Sequence, residues 1–238
     1  MDLQKVFTDF CAALASRQGI MTEDNVRYYW FRAMLRQDRK LNNYTLEFPY
    51  DSSLSIFKPT KKELDLLYND GKECWCMEMK FNRKTLLNNP KSAMTVTDNA
   101  GHIFNDLLRL SVFQPEAING EPYELPKETH RYFLYVTDEK MDKYLNNTTN
   151  PYRQSLSDFY NKGRYNPFIA PTSANAAPQS FCNNALQGFK QPPVQLSDLP
   201  IPVLLHQANF SILSPSFKGG VCHVRLYEVQ YNNKLINQ

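Results

Sequence analysis

Residues 63–81 read ELDLLYNDGKECWCMEMKF, two apolar-rich runs on either side of Asn69-Asp70-Gly71-Lys72. Asp-Gly between such runs signals a tight two-residue hairpin loop. With Asp70 and Gly71 as that loop, Asn69 pairs with Lys72, Asp65 lies opposite Cys76, and Glu63 lies opposite Glu78. Side chains alternate between the faces of a strand. Leu64, Leu66, Tyr68, Trp75, Met77, Met79 and Phe81 then share one face, which must meet a core. Glu63, Asp65, Leu67, Cys74, Cys76, Glu78 and Lys80 share the other.

On the second face Asp65 and Glu78 are expected as diagonal neighbours, with backbones roughly 7–8 Å apart. Like charges across strands are destabilising, so three acids on one hairpin face call for a cation between them. Hard carboxylate oxygens without paired histidines suit Mg²⁺ or Mn²⁺ better than zinc. Lys80, one strand repeat beyond Glu78, is placed to hold or deprotonate an attacking water and to stabilise charge on a phosphate. Those residue types together point to metal-assisted phosphodiester hydrolysis.

With Asp65 on one strand and Glu78-Met79-Lys80 ending the next, the chain resembles the PD-(D/E)XK nuclease superfamily, which includes restriction endonucleases. Acid-x-Lys also occurs at Asp38-Arg39-Lys40, Asp70-Gly71-Lys72 and Asp138-Glu139-Lys140, but only the copy at 78–80 ends an apolar strand that faces another strand bearing an acid. The resemblance implies an α/β (α+β) fold: a restriction endonuclease-like core with a mixed central sheet, flanking helices and αβββαβ order. It also implies that Asp65, Glu78 and the Met79 carbonyl hold the ion, that Lys80 serves the water, and that DNA is the substrate. Restriction, defence or repair is the implied context, and a homodimer follows if both strands are cut. Leu64 stands where the proline of the motif's name would be.

Composition agrees with a folded enzyme and adds little. The chain has 238 residues, 42% hydrophobic and 13% aromatic, enough for one large core with an elaboration. A net charge of +3 leaves any DNA contact to a local basic patch. Five cysteines without framework spacing, together with Asp2, Lys5 and Asp9 near the start, lead to the expectation of a cytoplasmic protein without membrane partners.

Along the chain, residues 2–17 form an amphipathic helix and Thr22 caps a second. Glu23 is either a helix-start acid or a further carboxylate of the site. Tyr44 to Phe48 alternates as a strand on which Glu47 is either a second-tier carboxylate or solvent-facing. Lys61 and Lys62 before the hairpin, and Arg83 and Lys84 after it, are candidate phosphate contacts. Residues 88–100 read as a loop, about 102–113 as a helix, 131–136 as a buried strand and 138–145 as a helix. The chain thus divides into a core at 1–145, an insertion or ordered loop at 146–199, and strands at 200–238 that extend the sheet or form a second one.

Two other readings stay open: a catalytically inactive restriction-like module that binds DNA or supports assembly, and a structural protein with a solvated hairpin face. A zinc site on Cys74 and Cys76 lacks two ligands at suitable spacing. No Gly-rich phosphate loop is present.

Overall fold

The computed structural model describes residues 1–51, 58, 62–82, 95–118, 120–163, 177–189 and 202–231. The first helix, α1 (Leu3–Ala15), starts where Asp2 accepts the Lys5 amide. The second, α2 (Glu23–Leu35), starts with a capping box in which Thr22 and Asn25 satisfy each other's amides. Three strands follow as an antiparallel meander: β1 (Tyr44–Pro49), β2 (Glu63–Asn69) and β3 (Glu73–Asn82). Helix α3 (Val96–Ser111) carries the chain over one face to β4 (Glu128–Asp138), which pairs in parallel with β3. A crossover of this kind is what a parallel pair requires.

Helices α4 (Glu139–Leu145), α5 (Pro151–Lys162) and α6 (Gln179–Ala185) come next, and the chain closes with β5 (Pro202–Ser211) and β6 (Val221–Val229). The six strands form one mixed sheet in the order β1-β2-β3-β4-β6-β5. The last two strands therefore extend the sheet and do not build a second one.

Alternation on the inner strands sorts the core into two layers. Trp75, Met77, Met79, Tyr132, Leu134, Leu226 and their neighbours pack against α1 and α2. Cys74, Cys76, Phe133, Tyr135 and Tyr227 pack against α3, α4, α5 and α6. Trp30 of α2 is fully buried and donates its indole N–H to Met77 Sδ at 2.9 Å. Among the described residues no helix is long and apolar enough to cross a membrane.

Four expectations need correction. The hairpin loop is Gly71-Lys72, with Gly71 at φ 87°, the positive value a primed turn needs at its first position. Asp70 turns its side chain back to accept the Lys72 and Glu73 amides, and this fixes the loop one residue later than expected. Asn69 therefore pairs with Cys74 and Leu66 with Met77, a register two residues from the predicted one. A two-residue slip leaves the side chains from Leu66 to Met79 on their expected faces. It does move Glu63 away from Glu78, because the register of Leu66 with Met77, continued, brings Asp65 opposite Glu78.

Second, the face read as polar is largely core: Leu67, Cys74 and Cys76 are buried against the α3 layer. Leu64 joins them, packing with Phe48 rather than with Leu66 and Tyr68. Third, α3 begins at Val96, where Thr95 and Asp98 form a capping box inside the stretch read as loop. Fourth, the segment from 146 to 199 contributes two helices to the core. Asn150 caps α5, Pro151 occupies its first turn, and Gly163 ends it at φ 64°. A Cβ on Gly163 would lie 2.4 Å from the Leu204 amide nitrogen, so the helix ends directly on the β5 backbone. Within this segment the Arg153 guanidinium covers the Tyr144 ring at 3.6 Å.

Candidate active site

The ladder between β2 and β3 runs from Asn69↔Cys74 to Leu66↔Met77 and stops there. Continuing that register by one residue sets Asp65 opposite Glu78, where a diagonal relation was expected. Beyond this point carboxylates take over from the strand partner. The Met79 amide donates to Asp65 Oδ2 at 2.6 Å, and the Phe81 amide donates to Glu23 Oε2 at 3.1 Å. The neighbouring strand changes character at the same level, because Glu47 of β1 has φ 54°. β2 and β3 thus part as a fork with Asp65 at its base.

Three elements fill the fork. From β3, Glu78 and Lys80 point toward α3. Glu78 is 3% exposed, and its Oε1 accepts both the Tyr50 hydroxyl and Arg109 Nη2 at 2.8 Å. From α2, Arg27 Nη2 lies 2.6 Å from Asp65 Oδ1. Lys80 spans the two helical layers, with Nζ 3.5 Å from Glu23 on α2 and 3.7 Å from Asp106 on α3. Glu23 therefore serves as a helix-start acid and as a member of the site together.

The electrostatics follow from this crowding. Burial, and then the charge of Glu78, push the Asp65 carboxyl well above the usual carboxylate range, against the pull of Arg27 and the Met79 amide. Burial raises Glu78 as well, opposed chiefly by Arg109. For Lys80, burial alone would lower the ammonium; Asp106, Glu23, Asp65 and Glu78 outweigh it and hold the group above its ordinary value. Lys62 behaves in the opposite way and is lowered to about 8 by burial and by the neighbouring Arg109. Beside the two carboxylates one lysine is thus held cationic and the other has its ammonium weakened. His102, on the same helix as Asp106 and Arg109, is lowered by burial and then by Lys80.

Of the residues expected at the site, Asp65, Glu78, Lys80, Glu23 and the Met79 backbone meet at the fork. Glu47 is exposed on the edge strand and makes no contact with the fork among the described residues. Lys62 lies on the α3 side, its Nζ 5.9 Å from the centre of the Phe189 ring. Lys61, Arg83 and Lys84 fall outside the described residues. Cys74 and Cys76 lie in the α3-side core and Cys222 in the other layer, so the sheet separates the cysteines considered for zinc.

The sequence reading missed Arg27, Tyr50 and the placement of Asp106 and Arg109. Part of the signal was there. Glu23 and Arg27 are spaced i,i+4 on one helix, and His102, Asp106 and Arg109 recur at helical spacing. Periodicity places such residues on one stripe of a helix but does not say which strand the stripe meets.

No family model, curated protein or solved structure matches the chain. The chemistry of the fork must therefore be argued from its donors. Among the described residues no group of three or more His, Cys, Asp or Glu side chains forms a ready metal cage. Mg²⁺ does not need one, since it keeps several waters and takes one or two carboxylates. Both bonds to Glu78 use Oε1, which leaves Oε2 outside them. Two buried, mutually repelling carboxylates with one such oxygen suit a small hard dication.

Proposed function

We propose that the chain is a Mg²⁺- or Mn²⁺-dependent nuclease that hydrolyses DNA phosphodiester bonds, with a PD-(D/E)XK-type site. One observation carries the reading: two buried carboxylates from adjacent strands, Asp65 and Glu78, lie near enough for the charge of Glu78 to act on Asp65, beside a lysine that feels both. An acceptor for the Met79 amide could be an asparagine or serine. A buried negative charge costs far more than a neutral acceptor unless it has work to do. The meander of β1, β2 and β3, the α3 crossover and the parallel β4 also agree with the core order that the resemblance implies.

Asp65, Glu78 and the Met79 carbonyl would hold the ion, which when bound supplies positive charge to a phosphoryl oxygen and acidifies a water. Glu23 and Asp106 hold the Lys80 ammonium beside the fork, which suits it to orient the water and stabilise phosphate charge. Glu23 holds Lys80 from the α2 side and Asp106 from the α3 side, fixing the ammonium over the fork.

The arginine pairing of both carboxylates favours a second reading, a DNA-binding or assembly module in which Arg27 and Arg109 replace the ion. One experiment separates them. Supercoiled plasmid is incubated with the protein and Mg²⁺ or Mn²⁺, beside Asp65→Asn, Glu78→Gln and Lys80→Ala variants. The nuclease reading expects nicking or linearisation that EDTA and each substitution abolish. Retained plasmid binding in a mobility shift without any cleavage would select the module instead.

A further inference from the structure

The two arginines at the fork are not equivalent. Arg109 is 20% exposed in its side chain and reaches the same Glu78 oxygen as the Tyr50 hydroxyl. Arg27 is 29% exposed and meets Asp65 through one nitrogen, Nη2. Its buried Nε has no hydrogen-bond partner among the described residues; the same is true of Arg109, which also meets its carboxylate through Nη2 alone, so the difference lies in the exposure of Arg27 and in the acids around it. A one-point contact lacks the second bond that makes an arginine–carboxylate fork strong. Two further acids flank the same guanidinium on its own helix, Glu23 at 3.4 Å and the largely exposed Asp24 at 3.4 Å. The guanidinium already touches all three acids, so it can leave Asp65 and still keep Glu23 and Asp24.

Charge completes the argument. With Arg27 in place, its cation neutralises Asp65 and the fork has little to offer a dication. With Arg27 turned away from Asp65, the four acids Glu23, Asp65, Glu78 and Asp106 face the three cations Lys62, Lys80 and Arg109, and the repulsion among the carboxylates is left for a bound cation to relieve.

We propose that Arg27 is a displaceable counter-ion of Asp65: it holds the carboxylate in the ion-free chain and yields it to a divalent cation by shifting to Glu23 and Asp24. This rests on the cation reading of the site. In the ion-free chain Arg27 keeps two repelling acids folded together. It also sets a threshold concentration below which the site stays closed to the ion, because apparent affinity scales with the fraction of molecules in the competent state.

The test is calorimetric titration of the EDTA-treated, full-length chain with MnCl₂ at pH 7.5, without DNA. Arg27→Gln is expected to bind Mn²⁺ about tenfold more tightly than the wild type, on the assumption that the competent state is populated roughly one time in ten. Asp24→Asn, at an exposed position, weakens the seat on Glu23 and Asp24 and is expected to bind about two- to threefold more weakly, the scale of a surface ion pair. Equal or weaker Mn²⁺ binding by a folded Arg27→Gln chain overturns the proposal while leaving the cation site standing. Should Arg27→Gln fail to fold, the Asp24→Asn chain decides: weaker binding supports the displacement and unchanged binding overturns it. Absence of Mn²⁺ binding in the wild type and both variants sinks the cation reading itself, and the displacement with it.

Discussion

Two of the buried polar clusters among the described residues are built on opposite plans. At the fork, acids repel each other across two strands and four cationic side chains surround them. Under α4 and α5, a single carboxylate oxygen, Asp142 Oδ1, accepts the Tyr160 hydroxyl at 2.8 Å and faces His223 Nδ1 at 3.2 Å and Arg225 Nη2 at 3.9 Å. Arg225 also donates to Asn209 and to the Val224 carbonyl, and lies over the Tyr160 ring at 4.6 Å. One acid serves several donors there, which is how buried polarity is normally satisfied. The contrast teaches which cluster is structural and which holds charge that folding alone would not select.

Lys80→Ala tests this most severely. On the nuclease reading it lowers cleavage by about 10²–10³-fold, the scale of losing one preorganised charge at a transition state. Asp142→Ala, assayed on plasmid in parallel, should leave the cleavage rate of the folded fraction unchanged. Stability should respond the other way. Asp142→Ala leaves the Tyr160 hydroxyl without its acceptor and removes the carboxylate beside the buried Arg225, and should lower the unfolding free energy in urea by about 2 kcal/mol. Gly163→Ala, in the same region, forces a side chain into the β5 backbone at a positive φ and should cost about 2 kcal/mol by the same measurement. Mn²⁺ binding by the folded chain should survive both.

The smallest effect is also the most diagnostic. Asp65 and Glu78 have folded-state pKa values above their unfolded ones, so the native state holds the extra protons and stability falls as pH rises above the ordinary carboxylate range. His223 is lowered, first by burial, so its contribution is lost as pH falls below its unfolded value near 6.5 and is gained as pH rises toward it. One proton gives at most about 1.4 kcal/mol per pH unit. In EDTA, urea midpoints between pH 4.5 and 7.5 should rise more steeply with pH for Glu78→Gln than for the wild type. His223→Asn should flatten the rise. Parallel curves for all three chains would show that the two clusters do not differ in the way described.

How much of this could be read from residues 63–81 depends on which property is asked for. The faces of the hairpin were legible because strand alternation survives an even slip. The register was not, because Asp-Gly and Gly-Lys are both competent loops and the choice fell to the Asp70 carboxylate bonding two amides. Asp65, Glu78 and Lys80 were named as partners, yet their expected solvated face is mostly core. Arg27 and Arg109 stayed hidden for another reason: a helix stripe shows its own spacing and not the strand it docks on. The helix at 151–162 was overlooked although Asn150-Pro151 and Gly163 carry its start and stop signals.

Gly163 has a consequence for anyone who remodels this protein. The C-terminal end of α5 and the outermost strand are in backbone contact at Pro202 and Leu204, with no side chain between them to absorb a shift. A loop insertion or a replacement edge strand that moves either partner must move the other with it. Covariation in a designed library should therefore concentrate on that pair of segments before any other joint on this side of the sheet.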